Sequence, residues 1–465
     1  MVGSQHVENA IEIALSKAKE INKSPSCYGT FAEIGAGQEV ARFFFQAGGA
    51  SATVAKTMSA YDMEFSDAIY GSEKSYVCIS RVFKMLDHEY ELLERRLSNK
   101  KESRRFFVYA NSVATGSKRR KTHGHGWAGV RFQRHPEEQP SEVFIHLRML
   151  AENINDQQTF VGVAGVNLLH ACLHHYDDPA EIISALGEGL RLEDFEIDSV
   201  RFSGPAFEKV DNRVMQIDLV RKGLTSAVMY NHDGEISSPS ELLFRKHAVA
   251  IRGSFRPVTN VKIDMLEQGL KHFKQKTGVS GEDIRVICEI TTEELYVGGD
   301  VVGEDFLARV DMLASLGYAV MVSNHKDDFS LVHLMRRYST LSRSLILGSH
   351  NLHKILDKRN YRHLVGGLLE ALGLMLNGGT HLYLYPINTE DGPLTIEKLD
   401  LSPENRILVN YLLEAGLVEQ LDTASELEYV SPSEVVHAIQ NKEDVSHLIP
   451  EKVYSIIKHR NIYGV

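Results

Sequence analysis

From about residue 246 the chain alternates short apolar runs with amphipathic stretches, and that alternation leaves few architectures open. Ala248 to Ile251, Arg285 to Ile290, Tyr318 to Asn324, Ser344 to Ser349 and His381 to Pro386 read as buried strands. Helical periodicity fills the gaps at Val261 to Phe273, Asp305 to Leu316, Asp328 to Tyr338 and Gly366 to Leu376. Strands separated by helices pair in parallel, because each helix carries the chain back along the sheet. The expected fold is α/β, with a doubly wound parallel-sheet domain whose ligands sit at the carboxyl ends of its strands. Those ends carry Arg252-Gly253-Ser254, Glu289, Ser323-Asn324 and Gly348-Ser349-His350.

The loop from Arg252 to Lys262 is the most informative of these ends. It runs from a strand to a helix, and a helix start leaves backbone N–H groups that suit an anion. Gly253 and Ser254 are expected to cradle a phosphate, with Arg252 and Arg256 clamping it and Thr259 assisting at the helix start. Lys262 would supply positive charge to a developing anion. Glu289 and Asp311 are the candidate ligands of a Mg²⁺ ion, and Ser323, Asn324 and Ser349 complete the pocket.

The remaining chain divides by pattern. Residues 1–104 read as a helical region. Its Phe31 to Phe45 stretch is taken for helix packing, because the third glycine of a dinucleotide fingerprint is missing. Residues 105–245 read as a mixed α+β domain with strands at Phe106 to Ala110, Val130 to Phe132, Val143 to Leu147, Val161 to Val166, Ile197 to Phe202, Gln216 to Val220 and Ser226 to Tyr230. His123 and His125, two residues apart, point the same way in a strand and could serve as an acid–base pair. Residues 246–395 form the doubly wound domain and 396–465 a C-terminal helical cap. A chain of 465 residues is too long for one core.

Charge and composition exclude several classes. A net charge of −11 argues against general nucleic-acid binding, the basic run Lys118 to Lys121 notwithstanding. The four cysteines are isolated, so neither a zinc knuckle nor a disulfide framework is expected. The first residues show no secretory signal, and no apolar run spans a bilayer, so a cytoplasmic protein without membrane partners is expected.

Gly253-Ser254-Phe255-Arg256-Pro257-Val258-Thr259-Asn260, followed by Ile263-Asp264, resembles the first motif of nucleotidylyltransferases such as the nicotinate-mononucleotide adenylyltransferases. The resemblance implies a loop that holds nucleotide phosphates. Val261-Lys262 stand where that family has its glycine–histidine pair, and Arg256 where it usually has aspartate. Ser339 to Arg343 is similar to the family's serine-rich second motif. Val286 to Leu295 and Gly317 to Asn324 look like the first motifs of haloacid-dehalogenase-like phosphatases, with Glu289 and Thr291 replacing two aspartates, which implies a related sheet. The whole chain resembles a widespread bacterial group of similar length, sometimes labelled nicotinate-nucleotide adenylyltransferase. The matching stretches are Ala41 to Phe45, Thr57 to Asp62, Arg252 to Thr259, Asp305 to Asp311 and Gly366 to Glu370.

Two functions follow. One is an uncharacterised phosphate-handling or nucleotidyltransferase-like protein that binds a small anionic ligand or nucleotide. The alternative is a non-catalytic homo-oligomer used for assembly or regulation, motivated by Phe43-Phe44-Phe45 and Gly48-Gly49 as subunit-contact surfaces.

Overall fold

The computed structural model describes residues 2–97, 102–116, 124–297, 300–301, 303–389, 392–423 and 429–464. The chain is α/β and forms two units, Met1–Thr225 and Ser226–Val465.

The first unit is built on a six-stranded sheet. Its strands are β1 (Cys27–Gly35), β2 (Val54–Ala60), β3 (Arg105–Ala114), β4 (Gly124–Phe132), β5 (Ser141–Met149) and β6 (Phe195–Ser203), in the spatial order β2-β1-β3-β4-β5-β6. The β1 strand lies parallel to β2 and β3, while β4, β5 and β6 continue as an antiparallel meander. Its helices are α1 (Val2–Lys23), α2 (Glu39–Ala47), α3 (Met63–Tyr70), α4 (Ile79–Arg96), α5 (Ile154–His174), α6 (Pro179–Leu186) and α7 (Asn212–Arg221). Val82, Met85, Leu86, Tyr90 and Leu93 of α4 cover one face against Phe106, Val108 and Phe144. On the other, Phe44 of α2 packs tilted on Phe31, their rings 4.8 Å apart.

Residues 1–104 are thus not a separate helical region. Two of their segments join the sheet of the following residues, with Cys27 opposite Arg105 and Gly29 opposite Phe107. The glycine at 29 hides the strand in the sequence, and it is there because β1 approaches β3 closely. A Cβ on Gly29 would lie 2.3 Å from the carbonyl O of Phe107. Val161 to Val166 and Gln216 to Val220 are helical, not extended. The α5 helix is apolar on every side because it is buried along most of its length, and an all-round apolar run has no period to distinguish it from a strand.

The second unit has an eight-stranded sheet. A short hairpin, β7 (Ala227–Tyr230) and β8 (Ile236–Ser237), precedes β9 (His247–Arg252), α8 (Asn260–Thr277), β10 (Ile284–Thr291) and α9 (Gly303–Ser315). Then follow β11 (Ala319–Ser323), α10 (Asp328–Tyr338), β12 (Arg343–Gly348), α11 (Gly367–Leu376), β13 (Thr380–Tyr385), α12 (Pro403–Glu414), β14 (Val418–Gln420), α13 (Pro432–Gln440) and α14 (Glu451–Arg460). The order is β14-β13-β12-β9-β10-β11-β7-β8, parallel from β14 to β11, with β7 antiparallel at β11. Alternate residues serve opposite faces. Ala248, Ala250, Leu345 and Leu347 meet α10 and α11, whereas Ile346 and Tyr385 meet α8 through Gly269 and Asp264. The segment expected as a helical cap contributes β14 to the sheet edge, where Leu384 lies opposite Gln420. No described helix is long and apolar enough to cross a membrane.

The close approach at Gly29 gives a stability test. Gly29→Ala is expected to destabilise the first unit by about 2 kcal/mol or more, since neither the carbonyl nor the ring of Phe107 has room to retreat. Fluorescence of Trp127, the single tryptophan and a buried one, reports this in urea unfolding. An unchanged midpoint would show that the sheet separates here at no cost.

Candidate ligand cleft

The winding order of the second sheet decides where a cleft can form. After the β7–β8 hairpin, the parallel part starts at β9, adds β10 and β11 on one side, then returns to add β12, β13 and β14 on the other. Loops leaving β9 and β12 therefore diverge to opposite faces, and a crevice opens at the carboxyl ends between them. A cleft of about 690 Å³ lies there, bordered by Arg252, Gly253 and Ser254 after β9, Thr291, Glu293 and Glu294 after β10, Lys326, Asp327 and Asp328 before and at the start of α10, and Asn351 and Lys354 after β12.

Arg252 sits at the floor and is engaged from three directions. Its Nε donates to Glu289 Oε2 at 2.6 Å and its Nη2 to Glu289 Oε1 at 3.3 Å, while Nη2 also donates to the carbonyl O of His325 at 2.9 Å. Asp328 Oδ1 lies 3.5 Å from Nη1. The hydroxyl of Ser323 donates to Glu289 Oε1 at 2.6 Å and accepts the backbone N–H of His325. Burial raises the pKa of Glu289 above its ordinary value, and Arg252 and Ser323 oppose that rise. The two-point guanidinium contact favours the ionised carboxylate against that burial.

Lys262 projects from the first turn of α8 and donates from Nζ to the carbonyl O of Arg252 at 3.3 Å. Burial pulls its ammonium down to about 8. Burial, then the charges of Lys262 and Lys354, also lower the pKa of His350, so its imidazole is neutral at pH 7. Its Nδ1 is buried with no hydrogen-bond partner among the described residues.

Of the residues singled out from the sequence, Arg252, Gly253 and Ser254 border the cleft. The others have different duties. Gly253 N–H donates to the carbonyl O of Glu289 at 3.0 Å, so it continues the β9–β10 pairing and does not present its N–H to a phosphate. Arg256 does not border the cleft: it pairs with Asp305 at 2.9 Å and lies over the Tyr463 ring. Thr259 caps α8 by accepting the N–H of Lys262, and Asn260 N–H is taken by the carbonyl O of Leu448, which occupies much of the helix start. Glu289 and Asp311 do not form a metal pair. The first is held by Arg252, and the second is held by Arg460 beside a different hollow. Ser323 is spent on Glu289, Asn324 is exposed, and Ser349 donates to the carbonyl O of Leu394 at 2.5 Å.

Sequence reading missed Lys326, Asp327, Asp328, Asn351 and Lys354. Lys326 is paired with Glu293 at 2.5 Å, and Asp327 caps α10 through the Ser330 N–H. Lys354 is exposed with no carboxylate within salt-bridge distance among the described residues. Asp327 and Asp328 were visible as an acidic pair at a helix start, which is a capping signal before it is a ligand signal.

His123 lies outside the described residues. His125 is on β4 in the first unit, exposed, and its Nδ1 is 3.5 Å from His146 Nε2; His146 Nδ1 is in turn 2.5 Å from Asp198. The aspartate is buried, which opposes ionisation, but His146 and Arg148 outweigh that and lower its pKa. His125 thus lies beside an Asp–His dyad on β5 and β6. Phe43 and Phe44 are core residues, and of that run only Phe45 faces outward.

No protein-family model and no curated protein matches the chain. Among solved structures it is similar to the competence/damage inducible protein CihA from Agrobacterium tumefaciens, at 15% identity and a TM-score of 0.26 over 35% of this chain and 94% of that one. It is also similar to CinA superfamily proteins from Klebsiella pneumoniae, at 14% identity and 0.27 over 36% and 99%, and from Escherichia coli, at 12% and 0.26 over 35% and 89%. A likeness of this depth says nothing of what either unit binds.

Two outcomes test the floor of the cleft. Arg252→Ala should cost about 3–5 kcal/mol, because it strands a buried carboxylate, whereas Arg252→Met with Glu289→Leu removes both charges of that pair, leaves only Asp328 without its guanidinium, and should recover part of the loss. Equal losses in urea denaturation followed by circular dichroism would refute that account. Lys262→Met should gain stability relative to the wild type at pH 7. A lysine whose folded pKa lies below its unfolded one carries a burial cost that is full below about 8 and disappears as pH rises toward 10.5. The advantage of Lys262→Met should therefore shrink between pH 8 and pH 10.

Proposed function

We propose that the second unit binds a phosphorylated small molecule of nucleotide type in the cleft between the ends of β9 and β12. The single observation that carries this reading is Lys354, a cation with no carboxylate partner among the described residues, facing a large opening at the point where the winding order reverses. Arg252 and the Gly253–Ser254 turn form the floor below it.

The charge of the cleft refines the ligand. Arg252, Lys326 and Lys354 share it with Glu293, Glu294, Asp327, Asp328 and Asp357, so a bare polyanion would meet more carboxylates than cations. A Mg²⁺–phosphate complex fits that balance better. Magnesium keeps most of its waters and takes one or two carboxylates plus ligand phosphates, which needs no preformed cage. Binding is favoured over nucleotidyl transfer. Lys262 stands where the nucleotidylyltransferase motif has its histidine, yet its amine is directed to the carbonyl O of Arg252 and does not border the cleft.

Calorimetry with ATP, nicotinate mononucleotide and pyrophosphate, each with and without Mg²⁺, tests this. Saturable binding that strengthens with Mg²⁺ is expected, with Lys354→Ala weakening it about 10-fold, or ~1.4 kcal/mol, at unchanged thermal midpoint. Absence of binding by all three at millimolar concentration, or full affinity in Lys354→Ala, would dismiss the reading.

A further inference from the structure

A second polar cluster lies in the first unit, where α1 packs along α5. Glu20 projects from α1, and His170 and His174, one turn apart, project from the same side of α5. Glu20 Oε2 is 3.1 Å from His170 Nε2, Glu20 Oε1 is 3.8 Å from His174 Nε2, and one donor atom from each of the three lies within 4.8 Å of the others. Ligands at 2.0–2.1 Å around a tetrahedral ion are separated by about 3.3 Å, so these side chains already stand at nearly that spacing.

The hydrogen bonding suits the same task. His174 Nδ1 donates to the carbonyl O of His170 at 2.9 Å, which places its proton on Nδ1 and leaves the Nε2 lone pair facing Glu20. The two imidazoles are stacked, with centroids 4.2 Å apart and planes at 23°, so they reach the carboxylate side by side. His170 Nε2–H donates to Glu20 Oε2, so ligation through Nε2 moves that proton to Nδ1, which is buried without a hydrogen-bond partner among the described residues. Lys17, one turn away, is directed to Asn167 at 2.8 Å and Glu188 at 3.1 Å and leaves the triad's carboxylate free of an ammonium contact.

We infer that Glu20, His170 and His174 form a binding site for a first-row divalent transition-metal ion, with three protein ligands and at least one position open to solvent. Imidazole and carboxylate donors favour zinc, cobalt, nickel or copper over magnesium or calcium. Glu20 is 61% exposed, so the outer side of the site admits water or a small ligand, and His175, with its ring centroid 6.2 Å from that of His170, is near enough to supply a fourth donor by a rotamer change. A bound ion would also join α1 to α5 across 150 residues of sequence. Among the described residues this is the one group of three such donors. It is independent of the cleft in the other unit.

The test is titration of the 465-residue chain with Co²⁺ followed by visible absorption, then displacement by Zn²⁺. One equivalent with d–d bands of four- or five-fold coordination is expected, together with a raised thermal midpoint. Glu20→Gln and His174→Ala both change exposed side chains, so the fold, followed by Trp127 fluorescence, should persist while affinity falls at least about 10-fold. Cys78→Ser, which alters the one cysteine that is not buried, should leave binding unchanged. No saturable Co²⁺ binding up to millimolar concentration, or equal affinity in wild type and His174→Ala, would overturn the assignment.

Discussion

The guanidinium of Arg252 holds the second unit's sheet together at the end where function is expected. It joins the ends of β9 and β10 through Glu289, and the end of β11 through the carbonyl O of His325 and the hydroxyl of Ser323. Backbone pairing between β9 and β10 stops at the bond from the Gly253 N–H to the carbonyl O of Glu289, which leaves a gap in hydrogen bonding beyond it. A buried two-point ion pair closes that gap. Its worth lies less in net attraction than in the penalty for disruption, because each partner without the other is an uncompensated buried charge.

That arrangement changes what the cleft can be. A loop with two arginines suggests a basic cradle, but one guanidinium is committed to Glu289 and the other to Asp305 outside the opening. The charge available to a ligand comes instead from Lys354, on a segment that the apolar pattern does not mark. Because acids outnumber bases around the opening, its attraction for an anion over distance is weak.

How much of this was legible in the sequence depended on periodicity and on sequence distance. The strands and helices from His247 to Tyr385 were legible because fully buried parallel strands and amphipathic helices have distinct signatures. β1 was not, since its glycine and the buried residues Phe31, Ala32 and Ile34 lack alternation, and α5 was not, since burial on all sides erases its period. The position of Arg252 at a strand end was legible, but its role was not. Its partners are 37 and 73 residues away, and only the fold brings them near. His170 and His174 illustrate the same limit. Their four-residue spacing is visible in a helix, yet in a chain with 21 histidines it gains meaning only when Glu20 arrives from α1.

Buried polar groups in this protein divide into those with hydrogen-bond partners and those without. Glu289 uses both oxygens, and Gln216 spans β6 with bonds to the N–H and carbonyl of Val200, so such groups have nothing left for a ligand. His350 Nδ1, next in sequence to the cleft residue Asn351, and Asp198 Oδ2, on the carboxylate that contacts His146, are buried without a hydrogen-bond partner among the described residues. An unpaired buried polar atom costs about 1–3 kcal/mol, a cost that packing alone does not require a fold to bear. Groups that bear it beside an opening or beside a second ionisable side chain are where bound water, a ligand or a transferred proton lowers the free energy most. By that measure, a water or ligand reaching His350 Nδ1 or Asp198 Oδ2 would gain more than one reaching the well-paired arginines.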